Sequence, residues 1–195
     1  YSQIMEINGL RGKDNYLPHM LGHEGVGKVI DKHTSVKKIK INDWVILTWI
    51  KSKGINAKPI NFQWKKQQIS AGKVTTFSNY TIVSENRVVK KPKSINFKEA
   101  VLYGCAIATG SGMILKESKL NKTDFLSISG LGGIGLVSLI TAIANNYHKI
   151  IAIDIDDKKL KIAEKLGVNY TINPLKENLE KQILKFTKGK MIKVS

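Results

Sequence analysis

Cysteine is nearly absent: Cys105 stands alone in a chain of 195 residues. One thiol cannot close an intramolecular disulfide, so stability must come from a packed core, and the scarcity agrees with a reducing cytoplasmic setting. No apolar run approaches the roughly 18 residues that a membrane-crossing helix needs, so no membrane span is expected. No secretory leader is expected ahead of the first motif. Acids are also few, 15 against 32 Lys and Arg, which leaves a formal charge of +17. A field of that sign draws polyanions non-specifically. The lysines are scattered and lack interleaved aromatics, so no specific nucleic-acid surface is read from them. The 42% hydrophobic content suits a folded core. The chain starts at Tyr1 and stops after Lys190-Met-Ile-Lys-Val-Ser195, so it reads as a fragment of a longer protein, cut at both ends.

The first half is β-rich. Gly27–Ile30, Trp44–Trp49 and Tyr80–Ser84 concentrate β-branched and aromatic residues and predict strands. Asn42-Asp43 marks a turn before the second of them. Residues 51–73, polar and broken by Gly54, Pro59 and Gly72, read as a long loop, and Asn96–Tyr103 has helical apolar spacing. The second half alternates. Strands are predicted at 125–130, 149–154, 168–172 and 190–194, and helices at 133–147, 157–166 and 175–188. Strands separated by helices predict a parallel, doubly wound sheet of the α/β class, here with three or four of the usual six or so strands. The domain boundary is placed near residue 106, giving domains 1–106 and 107–195.

The most specific stretch lies in the second half. Phe125-Leu-Ser-Ile-Ser129 runs into Gly130-Leu-Gly-Gly-Ile-Gly135, and a second apolar strand, Lys149-Ile-Ile-Ala-Ile-Asp154, ends in an acid. A strand, a Gly-rich turn, a helix, a strand and a carboxylate suit a dinucleotide. Gly130 permits the tight turn. Gly132, followed by Gly133, lets backbone N–H groups reach a pyrophosphate at the helix N-terminus. Gly135 lets the helix lie close to the sheet, and Asp154 can accept hydrogen bonds from ribose hydroxyls.

Two further stretches gain meaning only together. Leu21-Gly-His-Glu-Gly-Val-Gly27 contains a His-Glu pair that alone reads as a surface pair. Tyr103-Gly-Cys-Ala-Ile-Ala-Thr-Gly-Ser-Gly112 contains a cysteine that alone reads as a small buried apolar residue. Imidazole and thiolate are also good zinc ligands, and a catalytic zinc takes three protein ligands and an exchangeable water. His19 and His33 form no closed ligand set and read as surface or turn residues.

With Gly22-His23-Glu24 and Gly27, Asn42-Asp43-Trp44-Val45, Gly104-Cys105 with Thr109-Gly110, Gly130 to Gly135, and Asp154 with Lys159 in this order, the chain resembles the zinc-dependent medium-chain alcohol dehydrogenases over nearly its whole length. The resemblance implies a β-rich GroES-like catalytic domain followed by a Rossmann domain, here incomplete. It implies hydride transfer between an alcohol and an aldehyde or ketone, with catalytic Zn2+ and NAD as cofactors. His23 and Cys105 resemble zinc ligands, and Glu24 resembles the acid behind the metal that can transiently ligate it. Ser2 resembles the hydroxyl residue of the proton relay, two places after a first cysteine ligand that would fall immediately before Tyr1. Met5 and Glu6 stand where some relatives complete that relay with a histidine. Thr109 and Ile134 resemble residues packing around the nicotinamide, and Asp154 and Lys159 the pair on the adenosine ribose. An acid at Asp154 favours NAD over NADP. No cysteines occupy 51–73, so no structural zinc is expected there. The family's habit implies a homo-oligomer at full length. Two alternatives stay open: a zinc-free reductase of the same superfamily, and a truncated basic chain that binds anions non-specifically.

Overall fold

The computed structural model describes residues 2–118, 120–190 and 192. The chain divides into two compact units, Tyr1–Cys105 and Ala106–Ser195.

The first unit opens with a short helix, α1 (Ser2–Ile7). Its sheet has three antiparallel strands in the order β1 (Gly25–Lys28), β2 (Trp44–Leu47), β5 (Val88–Lys90). Val26 faces Ile46 across one ladder, and Ile46 faces Val89 across the other. Val29, Ile39, Val45, Leu47, Val74 and Val88 form the core beneath it. Asn42 takes the left-handed conformation (φ 72°) that asparagine tolerates, and Asp43 closes the turn by accepting from Lys40 N–H and pairing with Lys90. Helix α2 (Phe97–Leu102) is capped by Asn96, whose side chain accepts from Glu99 N–H. The Phe97 ring lies 4.5 Å from that of Trp44, which fastens α2 to β2.

Three expectations for this unit need correction. The first strand lies at Gly25–Lys28 rather than 27–30. Residues 51–73 are not a bare loop: β3 (Asn61–Trp64) and β4 (Gln67–Ser70) form a hairpin through Lys65–Lys66. The pair of half-buried residues Phe62 and Ile69 holds it across the ladder, while Trp64, opposite Gln67, is exposed. Residues 80–84 form no strand, although Thr81, Ile82 and Val83 are β-branched, because among the described residues no ladder partner pairs with them, and Tyr80 is 77% exposed. The strand comes later, at β5, after a 3₁₀ turn at Glu85–Arg87.

That turn carries a structural carboxylate. Glu85 accepts from the backbone N–H groups of Lys37 (2.8 Å), Lys38 (2.7 Å) and Ile55 (2.9 Å). One side chain thus ties the 37–38 turn and the 54–55 loop to the start of β5.

In the second unit, α3 (Ala106–Gly112) continues into a π-helical turn at Met113–Glu117. The parallel strands β6 (Leu126–Ser129), β7 (Ile150–Ile153) and β8 (Tyr170–Ile172) follow in spatial order β6-β7-β8. Helix α4 (Gly133–Ala144) joins the first pair, α5 (Asp157–Lys165) the second, and α6 (Leu179–Thr187) follows β8. Every residue of β7 is buried, because both faces of the sheet are covered. Ile150 and Ala152 pack with Leu139 and Ala142 of α4 and with Leu160 and Ala163 of α5. Ile151 and Ile153 pack on the other face with Ile172, Ile183 and Phe186. Each isoleucine so buried contributes about 1.5–3 kcal/mol. The predicted helices appear with shorter ends, and α6 starts four residues late because Asn178 caps it by accepting from Lys181 N–H. The strand predicted at 190–194 lies, apart from Lys190 and Ile192, outside the described residues.

The Ile55 and Lys38 amides, with that of Lys37 and the Lys38 charge, outweigh burial and hold the Glu85 carboxyl below its ordinary range. A carboxylate depressed by folding stabilises above its unfolded pKa, and that contribution disappears as pH falls through the lower folded value. Wild type should therefore lose stability on acidification below the usual carboxylate range. Glu85→Gln should be less stable at neutral pH and lose less on acidification, read from urea midpoints at a series of pH values.

Candidate functional site

The first unit gathers one group of predicted residues. His23 and Glu24 are half-buried on the segment just before β1. This segment is gripped from the side by the 76–77 stretch: Leu21 C=O accepts from Thr76 N–H (3.2 Å) and Phe77 N–H (3.1 Å). Gly22 is left-handed (φ 90°), and a Cβ there would sit 2.4 Å from Thr76 Oγ1, so only glycine fits. Behind the segment lies Gly104, where a Cβ would come within 2.7 Å of Glu24 Cβ and 2.4 Å of Leu47 C=O. Thr48 Oγ1 donates to Gly104 C=O (2.7 Å) and fixes that approach. Cys105, half-buried, is the next residue after this contact. Ser2 is exposed at the first position of α1. Among the described residues, no group of three or more His, Cys, Asp and Glu gathers closely enough to hold a metal ion by itself.

His19 departs from the surface reading. It is half-buried, with Nε2 2.8 Å from Asp14 Oδ2 and Nδ1 3.0 Å from Met20 C=O. Both ring nitrogens are engaged. The Met20 carbonyl, ahead of the Asp14 carboxylate, holds the ring's pKa above its ordinary value. His33 is exposed in a turn, within 2.7 Å of Ser35 Oγ.

The second unit gathers the other group. Gly130 is left-handed (φ 83°) and turns the chain from β6 toward α4. A Cβ on Gly135 would lie 1.9 Å from Gly130 C=O, so the first turn of α4 rests directly on the glycine turn. Gly132 is the N-cap and supplies no side-chain cap, which leaves the first amides of α4, at Gly133, Ile134 and Gly135, turned outward at the positive end of the helix. No protein atom would meet a Cβ at Gly132 or Gly133, and both residues are exposed. Bare backbone beside open space at a helix N-terminus is a fitting cradle for a phosphate.

Asp154 stands at the end of β7, 7% exposed. Its Oδ2 accepts from Leu131 N–H (2.6 Å), inside the glycine turn, and its Oδ1 from Asp156 N–H (2.9 Å). Lys159 Nζ approaches Oδ2 to 3.6 Å. Burial pushes the carboxyl up, but the two amides and the ammonium outweigh it and keep Asp154 ionised. A carboxylate has about four acceptor positions, so some remain for a ligand. Thr109 is exposed on α3 and Ile134 on the first turn of α4. These helices run side by side, joined by Ser138 Oγ donating to Gly110 C=O (3.0 Å) and by Ser111 Oγ with Thr141 Oγ1 (3.0 Å). The bond from Leu131 N–H to Asp154 is not readable in the sequence, since nothing in the motif's spacing marks that amide as a donor.

Two family models match the chain. An alcohol dehydrogenase GroES-like domain covers residues 2–93, and a zinc-binding dehydrogenase domain covers residues 133–195. Among curated relatives, an S-(hydroxymethyl)glutathione dehydrogenase from Synechocystis sp. is 28% identical over 186 residues, covering 83% of this chain and 50% of its own length. An alcohol dehydrogenase class-2 isozyme 2 from Oryctolagus cuniculus is 28% identical over 208 residues, covering 91% and 55%. The chain thus spans about half the length of the curated relatives it matches. Among solved structures, benzyl alcohol dehydrogenase from Acinetobacter calcoaceticus superposes with a TM-score of 0.81 at 22% identity, covering 98% of this chain and 58% of its own. The alcohol dehydrogenase of Aeropyrum pernix gives 0.76 at 23% identity, covering 96% and 57%. The fold is therefore a GroES-like unit followed by a Rossmann-like unit. No helix among the described residues is long and apolar enough to cross a membrane.

Placing a methyl on Gly135 forces α4 off the glycine turn. Gly135→Ala should lower stability by about 2–4 kcal/mol, the range of a backbone clash that cannot relax cheaply. Urea unfolding checks it.

Proposed function

Since the chain belongs to the zinc-dependent medium-chain alcohol dehydrogenase family, we propose that the protein interconverts an alcohol and its aldehyde or ketone by hydride exchange with NAD. The observation that carries the reading is the pairing of the uncapped α4 N-terminus with the ionised Asp154 bound to Leu131 N–H. One end of such an arrangement suits a pyrophosphate and the other a ribose diol.

In this reading the amides of Gly133, Ile134 and Gly135 hold the pyrophosphate, and Gly130 and Gly132 keep side chains out of its way. Asp154 accepts from the adenosine ribose hydroxyls, with Lys159 beside it. A 2′-phosphate would meet the Asp154 carboxylate, which favours NAD over NADP. Thr109 and Ile134 pack against the nicotinamide. His23 and Cys105 ligate zinc, and Glu24 is the adjoining acid that can join them. The donor types suit zinc, and the approach of Gly104 to Glu24 supports their proximity. A third permanent ligand would be the cysteine that the resemblance implies just before Tyr1. When bound, zinc supplies a Lewis acid for the alcohol oxygen and the nicotinamide supplies the hydride acceptor. Ser2 takes the alcohol proton on its hydroxyl and passes it outward.

The full-length protein should contain about one catalytic zinc per chain by elemental analysis. It should also bind NADH saturably at high salt and oxidise simple alcohols. Cys105→Ala should remove the zinc and the activity while leaving NADH binding intact. Asp154→Asn should narrow the preference for NAD over NADP by about tenfold or more, on the scale of one lost charge contact in a recognition site. A protein that reduces carbonyls without zinc would instead be the zinc-free reductase. A protein that binds NADH no better than other polyanions would end the dehydrogenase reading.

A further inference from the structure

Gln3, the residue after Ser2 in α1, bonds in two directions. Its Oε1 accepts from Gly22 N–H, 19 residues away and adjacent to His23. Its Nε2 donates to Glu6 Oε2, and Glu6 Oε1 accepts from Arg11 Nη1 (2.6 Å). The chain doubles back after α1 through a turn in which Asn8, Gly9 and Leu10 N–H groups bond to Ile4, Glu6 and Met5 carbonyls, and this brings Arg11 to Glu6. The result is a continuous series: Arg11, Glu6, Gln3, then the backbone at Gly22.

The chemistry at position 3 is specific. One end of the side chain meets a donor, Gly22 N–H, and the other meets an acceptor, the Glu6 carboxylate. A carboxamide offers an acceptor and a donor at once; neither a carboxylate nor an alkyl group does. The peptide it holds is the one joining Leu21 to Gly22. The carbonyl edge of that peptide is already gripped by Thr76 and Phe77 N–H groups, and Gln3 grips its N–H edge. With both edges held, the direction in which the chain leaves toward His23 is set. Ser2 immediately precedes Gln3, so the same bond also sets the relay hydroxyl relative to His23.

We propose that Gln3, backed by Glu6 and Arg11, is the positioning residue of this centre, orienting the metal ligand His23 through the Leu21–Gly22 peptide and indexing Ser2 to it. The assignment rests on the reading of His23 as a zinc ligand. Groups that orient a ligand from outside the coordination sphere typically matter by about 10- to 100-fold in metal affinity.

A reciprocal swap tests it in the full-length protein. Gln3→Leu removes both bonds. Gln3→Glu keeps an acceptor for Gly22 N–H but sets two carboxylates together. The double variant Gln3→Glu/Glu6→Gln restores every donor to an acceptor: the carboxamide now at position 6 donates to the carboxylate at position 3 and accepts from Arg11. Two readouts are taken: hydrogen exchange of the Gly22 amide in metal-free protein, and zinc affinity by competition with a chelator. Gln3→Leu and Gln3→Glu should speed Gly22 exchange and weaken zinc by about tenfold or more, and the swap should return both to within about threefold of wild type. Thermal melts identify any variant that merely unfolds, and the swap then carries the test. Exchange and zinc affinity within about twofold of wild type in Gln3→Leu, or a swap no better than Gln3→Glu, would overturn the assignment. Wild type that binds no zinc, yet loses Gly22 protection in Gln3→Leu, would support the clamp and sink the zinc reading instead.

Discussion

Direct contact between backbones, with no side chain between them, is the constraint on which both candidate sites depend. Gly135 rests on the carbonyl of Gly130, and Gly104 rests on Glu24. In the Rossmann-like unit, the contact brings the first amides of a helix to the rim of a parallel sheet. In the GroES-like unit, it sets Gly104, the residue before Cys105, against Glu24 across about 80 residues of sequence. Close packing tolerates little change of volume at such points, because the interior has no slack to absorb a methyl group.

The unequal charge balance takes on a second meaning in the structure. Few of the scarce acids serve only to neutralise lysines. Glu85 accepts from three amides, Asp154 from two, and Asp14, Asp31, Asp43, Asp124 and Asp156 from at least one each. Seven of the 15 acids thus act as fasteners for turns and caps, and most lysines are left to set the field around the molecule. A positive field is no hindrance to a protein whose proposed cofactor carries a dianionic pyrophosphate.

Much of the Rossmann-like unit was legible because its signals are local. Ile150 to Ile153 form an unbroken apolar run of strand length, and α4 follows a glycine turn. The GroES-like unit was harder. Its hairpin at Asn61–Trp64 and Gln67–Ser70 has one apolar pair across the ladder, and residues 80–84, with β-branched Thr81, Ile82 and Val83, read as a strand although among the described residues no ladder partner pairs with them. Of the candidate site, residue types and order were legible, and the couplings were not. Nothing in the sequence links Leu131 to Asp154 or Gln3 to Gly22, because each link joins a side chain to a backbone amide, and amides carry no signature in the letters.

Asp154 holds the glycine turn through Oδ2 and the Asp156 amide through Oδ1, the same two oxygens it would offer to a ribose. In the proposed reading, recognition and architecture are therefore fused in one carboxylate. An evolutionary path toward the phosphorylated cofactor cannot run through simple loss of this acid, since that step would slacken the phosphate cradle before any new contact formed. Lineages with this arrangement should change cofactor preference only after another group has taken over the amide of Leu131, so the order of substitutions, and not only their identity, is written into the fold.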